Sequence, residues 1–173
     1  PPRSTLDRSS AASDVYKRQS HNIAKIEEHV IHGKNCTCAV HRKGATRAFS
    51  GTQPELHRTF AQTGQPVVVP GDMGRGSWLM AGPQTEQNQA FGSACHGAGR
   101  ALSRSAARRK INPEAKEKEL REKGIIVQAA TKNILSEEAP EAYKNVDRVI
   151  QNTAIANLAR PVLRLEPMTV IKG

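Results

Sequence analysis

The sequence predicts an α+β fold, one domain or part of a larger one, from three observations. Apolar runs of strand length recur at 36–41, 67–69, 78–81, 125–127, 160–165 and 168–171. Helix signals stand between them, the clearest being Asn112-Pro113 at a start and Gly124 at a stop. No internal repeat and no composition break divides residues 20–173.

Charge narrows the function classes. The 173 residues carry 26 Lys+Arg against 16 Asp+Glu, a net charge of +10, which favours a polyanionic partner. One Trp, two Tyr and three Phe are too few for a base-stacking platform, so nucleic acid would be held mainly through phosphates. Three cysteines, an odd number, fit a reduced compartment better than a disulfide framework. No apolar run reaches the length of a membrane span, and the N-terminus lacks the apolar core of a signal peptide. The expected location is the cytoplasm.

Residues 1–19 are polar and serine-rich without periodicity, and read as disordered and foreign to the rest of the chain. Residues 20–35 hold His21, His29 and His32, but no spacing typical of zinc, so structural roles are favoured. Residues 36–41 suit a strand. Cys36 and Cys38 share one face of it, and without a second pair they make no zinc site. Arg42-Lys43-Gly44-Ala45-Thr46-Arg47 reads as a basic turn or strand end. A short helix is expected over 54–60. Gly64-Gln65-Pro66 breaks the chain before the buried strand 67–69. The glycine-rich loop Pro70-Gly71-Asp72-Met73-Gly74-Arg75-Gly76-Ser77 then leads into strand 78–81. Strand, loop, strand is not a P-loop or dinucleotide fold, both of which need a helix after the glycines.

A polar linker, 84–89, leads to the most informative run: Ser93-Ala94-Cys95-His96-Gly97-Ala98-Gly99-Arg100. The glycines let backbone N–H groups approach a ligand. A helix following directly and ending near Lys110 would put Arg100, Arg104 and Arg108 on one face, with its positive end beside the glycines. This gives an imidazole next to an anion cradle; a capped surface helix with a solvated basic face fits the same residues. Residues 114–123 alternate in charge and read as a solvent-facing helix closed by Gly124. A helix over 141–158 would stack Tyr143, Val146, Ile150, Ala154 and Leu158 on one side, with Tyr143 in the core. Two closing strands end the chain.

Several stretches together resemble the RtcB family of RNA-splicing ligases. They are Ser20-His21-Asn22, His41-Arg42-Lys43-Gly44-Ala45-Thr46, Pro70-Gly71-Asp72-Met73-Gly74 with Ser77, His96-Gly97-Ala98-Gly99-Arg100 with Ser103-Arg104, Tyr143, and Val170-Ile171-Lys172-Gly173. Their order matches over residues 20–173, and the family enzyme is much longer. The resemblance implies the C-terminal part of a larger fold, a mixed sheet core with surrounding helices, its cleft shared with a preceding portion. It implies a GTP- and Mn²⁺-dependent ligase joining an RNA 3′-phosphate or 2′,3′-cyclic phosphate end to a 5′-hydroxyl through guanylylated His96. His21 is then a manganese ligand and Asn22 lies beside the nucleotide. Pro70, Gly71, Asp72, Met73, Ser77, Gly97, Ala98 and Gly99 hold GTP, although the family carries a serine where this chain has Asp72. Tyr143 walls the guanine pocket, and Lys172 reaches the nucleotide. Arg42, Lys43, Arg100 and Arg104 hold RNA phosphates. The implied partners are RNA (tRNA halves or broken RNA) and GTP, with no membrane.

Two other readings use the same residues. A non-catalytic basic RNA-binding fragment would bind RNA in a salt-sensitive way without reacting with GTP. A cysteine hydrolase built on Cys95 would need a base on its own side, whereas the adjacent His96 points elsewhere along an extended chain.

Overall fold

The computed structural model describes residues 22–84 and 90–172. Residues 1–19, the motif position His21, most of the 84–89 linker and Gly173 lie outside the described residues. The fold is α+β, with strand pairing that is antiparallel in three small sheets and parallel in a fourth among the described residues.

Strands β1 (Asn22–Ile31) and β2 (Lys34–Lys43) form a hairpin with Ile31 opposite Lys34. Its two-residue turn is His32-Gly33, both at positive φ (50° and 76°), the geometry that matches the twist of paired strands. Strand β1 was not expected from sequence, because its one buried position is Glu27 rather than an apolar residue. Strand β3 (Ala45–Arg47) pairs with β6 (Ser93–Cys95), the strand that delivers His96. The expected helix at 54–60 is reduced to a 3₁₀ turn at Arg58–Phe60.

Strands β4 (Pro66–Asp72), β5 (Gly76–Ala81) and β8 (Arg160–Leu165) form an antiparallel sheet. Its inner face supplies Val67, Val69 and Met80 to a core with Ala94, Ala98, Val146 and Ile150. Strands β7 (Ile126–Ala129) and β9 (Thr169–Lys172) pair in parallel, both within a residue or two of the predicted runs. Val127 joins Met73, Leu120, Ile125 and Leu135 in a second core.

The helices differ more from expectation. Helix α1 (Arg104–Lys110) starts later than predicted, because Ser103 caps it by accepting from the Ala106 N–H and Gly99 turns the chain at φ 75°. Arg100 is therefore not on this helix, and the shared face of Arg100, Arg104 and Arg108 does not exist. Nor does a helix N-terminus abut the glycines. Helix α2 (Pro113–Glu122) follows the predicted Asn112 cap and Gly124 stop, but it is not wholly solvent-facing. It buries Leu120 and Lys116, and Lys116 bonds to Glu119 and to Glu141. Helix α3 (Lys132–Glu137) had no distinctive signal. The long helix predicted over 141–158 is instead a 3₁₀ turn (Pro140–Ala142) followed by helix α4 (Val146–Ile155). Asn145 caps α4 through the N–H groups of Asp147 and Arg148, leaving Tyr143 extended before it (φ −117°, ψ 155°).

Candidate active site

His96 leaves β6 directly. Cys95 lies opposite Ala45, which sets the histidine beside the Gly44 turn between β2 and β3. A Cβ built on Gly44 would lie 4.0 Å from His96 Nε2. The Nδ1 of His96 is buried. Asn22 and Lys43 face each other at the open end of the hairpin, one residue before Gly44, and both are exposed. Asn22 Oδ1 lies 2.5 Å from His41 Nε2.

Beyond His96 the chain docks onto the glycine loop. The Ala98 N–H donates to the Pro70 carbonyl at 2.9 Å, and a Cβ on Gly97 would meet that carbonyl at 3.4 Å. Two motifs far apart in sequence thus share an edge. The loop itself is tight: Gly76 turns at φ 97°, with Leu165 O only 2.1 Å from where a Cβ would stand. The Gly71 N–H donates to Ser77 Oγ at 3.4 Å. Asp72 Oδ1 accepts from the N–H groups of Gly74 and Arg75 at 3.0 and 2.8 Å, an Asx turn. Its other oxygen is buried 3.6 Å from Arg75 Nη1. The carboxylate therefore shapes the loop from inside. Met73, expected at the nucleotide, buries its side chain in the second core, so only its backbone is available there.

Gly99 to Leu102 run alongside the segment before α4. Lys144 N–H donates to Gly99 O at 2.9 Å, Ala101 N–H to Ala142 O at 2.8 Å, and Arg100 bridges to Tyr143. The Arg100 guanidinium stacks 4.9 Å over the Tyr143 ring and donates to its hydroxyl at 3.0 Å. It also donates to the carbonyls of Leu102 and Glu137, at 3.0 and 2.6 Å. Glu138 completes the cluster. One carboxylate oxygen lies 3.4 Å from Arg100 Nη1; the other accepts from Tyr143 Oη at 2.7 Å and lies 3.3 Å from Lys172 Nζ. Burial opposes ionisation of Glu138, but the Tyr143 hydrogen bond and the charges of Lys172 and Arg100 outweigh it and hold its pKa below the ordinary value. Burial and the neighbouring Glu138 carboxylate push the Tyr143 phenol up to about 12.

The structure thus links His96, Gly97, Ala98 and Gly99 to Pro70 and its loop on one side, and to Arg100, Tyr143 and Lys172 on the other. Arg104 stands apart on α1, exposed and 3.4 Å from Glu137, which also pairs with Arg108 at 2.9 Å. Arg42, expected on the RNA phosphate path, is inside the protein at 3% exposure. It donates to both oxygens of Glu27 at 2.7 Å, to Phe91 O at 2.7 Å and to Ser93 Oγ at 2.8 Å. Its fork is fully engaged in holding the start of β6. Sequence reasoning missed Glu27, Glu137 and Glu138, whose arginine and lysine partners all come from other segments. A groove lined by Glu114, Glu117, Lys118, Arg121 and Glu122 lies on α2 and includes none of the candidate residues.

Among the described residues no three His, Cys, Asp or Glu side chains come together as a metal site, so these residues alone do not fit a manganese ion. Cys95 makes a poor nucleophile: burial pushes its thiol up, against a partly offsetting bond to Thr153 Oγ1 at 3.3 Å. No helix among the described residues is long and apolar enough to cross a membrane.

Comparison with known proteins gives one answer. Residues 3–173 match the family described as tRNA-splicing ligase RtcB, a match that begins within the stretch composition sets apart. The chain is 49% identical over 154 residues to the tRNA-splicing ligase RtcB of Thermococcus kodakarensis, covering 89% of this chain and 32% of that protein. It is 46% identical over 160 residues to its counterpart from Pyrococcus horikoshii, covering 92% of this chain and 18% of that protein. The Archaeoglobus fulgidus protein of the same name is 46% identical over 154 residues, covering 89% of this chain and 32% of its own length. The chain therefore spans about a third or less of these relatives. A match this long, at close to half identity, places the chain in the tRNA-splicing ligase RtcB family.

Proposed function

We propose that this chain carries the nucleotide-transfer part of an RNA ligase site, with His96 as the nucleophile. The observation that supports it most is the docking of the His96 loop onto the Pro70 loop, with Arg100, Tyr143 and Lys172 continuing the same surface. In this reading the His96 imidazole attacks the α-phosphorus of GTP. A P–N bond forms and pyrophosphate leaves. GMP then passes to an RNA 3′-phosphate, freeing His96, and an RNA 5′-hydroxyl attacks that activated end, sealing the strand and releasing GMP. A 2′,3′-cyclic end would first be opened to the 3′-phosphate. Covalent transfer suits this substrate, because an unactivated 3′-phosphate lacks a good leaving group. Ser77, Asn22 and Lys172 bind the nucleotide against the glycine loop, and Tyr143 lies along its base. Lys43 and Arg104, both exposed, hold RNA phosphates, with Arg100 nearer the reacting end. Manganese would supply charge neutralisation at the phosphates, with His21 as one of its ligands. The substrates, tRNA halves or broken RNA, are inferred from the relatives' name and the basic charge, and the site of action would be the cytoplasm.

The direct test is covalent labelling by α-labelled GTP in the presence of Mn²⁺. It is run on this chain alone and on a fusion that adds the part of the Thermococcus relative the chain does not match. The chain alone should not label, since a single imidazole binds Mn²⁺ too weakly to position GTP. The fusion should form the histidine adduct and join RNA ends. Labelling by neither, with salt-sensitive RNA binding retained, would favour the non-catalytic reading.

Lys172 offers a second check. Its ammonium is partly exposed and its ion pair adds little to stability. Replacing Lys172 with Met in the fusion should weaken GTP use about tenfold while leaving the melting temperature nearly unchanged. Unchanged GTP dependence would remove Lys172 from the site.

A further inference from the structure

We propose that Glu138 is a positioning residue that sets Arg100, Tyr143 and Lys172 in place before a nucleotide arrives. The inference rests on the nucleotide-transfer reading and adds to it a residue on which three of its members converge. Those members come from three separate segments: the loop after His96, the extended residue before α4, and the last strand. The Glu138 carboxylate reaches all of them at 2.7 to 3.4 Å.

The geometry favours positioning over incidental pairing. Glu138 stands at the C-cap of α3, its N–H held by Ile134 O at 2.9 Å, and the Pro140 turn comes at once after it, so its backbone has little freedom. Its side chain is only 17% exposed, so water replaces it poorly. Two cations, Arg100 and Lys172, meet at the same carboxylate and would repel each other without it. The Tyr143 hydroxyl donates to Glu138 and accepts from Arg100, which fixes both its proton and its ring. The neighbouring Glu137 takes Arg104 and Arg108 instead, so the two carboxylates sort the arginines into separate sets.

Glu138→Gln keeps the shape and one acceptor but removes the charge. The first measurement needs no nucleotide: the ionisation of Tyr143, tracked by ¹³C NMR of labelled tyrosine and assigned with Tyr143→Phe. Tyr143, pushed up to about 12 in the unsubstituted chain, should ionise at a clearly lower pH in Glu138→Gln, with part of the rise remaining because the ring stays buried. The second measurement is the GTP dependence of labelling in the fusion. Glu138→Gln should raise the KM for GTP about tenfold or more and change the saturating rate by less than about threefold. Glu138→Asp, which keeps the charge, should recover part of the KM. A residue needed only for folding would lower the amount of active protein without moving KM. An unchanged Tyr143 titration, or an unchanged KM in a fusion that labels, would overturn the proposal. If the unsubstituted fusion does not label, the nucleotide-transfer reading falls, and the Tyr143 titration alone decides whether Glu138 organises the cluster.

Discussion

His96→Ala in the full-length fusion should abolish covalent labelling by GTP, a loss of at least about a thousandfold, down to background. Alanine offers no lone pair at the position beside Gly44. His29 stacks edge-on against Phe91 at 5.3 Å and bonds to Glu27, and His41 bonds to Asn22. Cys95→Ala should leave labelling in place, because the thiol is half-buried and held in the un-ionised form. Mass spectrometry of the labelled peptide is the check. An adduct that persists in His96→Ala on another histidine would overturn the assignment.

Arg42→Ala should destabilise the chain by about 3–5 kcal/mol, the usual effect of leaving one member of a buried ion pair unmatched. Glu27 would remain with its side chain fully buried, facing only His29 at 3.1 Å. Phe91 O and Ser93 Oγ would each lose the Arg42 hydrogen bond at the start of the strand that leads to His96. Urea unfolding should show a lower midpoint with an unchanged slope. Replacing both Glu27 and Arg42 with apolar residues of similar size should cost far less than either single change. The pair also sets an acid limit. Burial pushes the Glu27 pKa up, but the hydrogen bonds and charges of Arg42 and His29 bring it below its ordinary value. A carboxyl whose folded pKa is lowered contributes stability above its unfolded value, about 4.5, and loses it as pH falls through the folded pKa. The unsubstituted chain should therefore lose stability below about pH 4.5, and Arg42→Ala should lose less of it there.

The parts of the fold that were legible in the sequence are those set by local rules. Asn112-Pro113 and Gly124 bound α2 because capping and backbone φ are decided by neighbouring residues. Arg160–Leu165 is a strand, in keeping with its apolar pattern. What was not legible depends on partners far along the chain. Glu27 makes β1 look wrong for a strand until Arg42 is seen against it. Tyr143 fits a helical period with Val146 and Ile150, but the bridge to Arg100 and the Asn145 cap take it out of the helix. Arg100 fits an i, i+4 series with Arg104, and Ser103 ends that series. His96 and its flanking glycines stood out locally as an imidazole beside a possible anion cradle, whereas the roles of Tyr143 and Lys172 came through motif resemblance. Glu138, which ties three site members together, belongs to none of the family-like motifs and lies in a polar run that any surface helix could carry.

The Pro70 loop is held between two cores, with Val69 in one and Met73 in the other, and Asp72 bonded back across its turn. Loops of this composition are commonly thought of as flaps that fold over a phosphate. Here both flanks are anchored before any phosphate is present. The conformational entropy of ordering the loop is lost when the chain folds and not when a ligand binds. A ligand meeting this surface would find the loop already in one shape, its Gly71, Gly74 and Arg75 N–H groups turned inward, so recognition there would show lock-and-key behaviour.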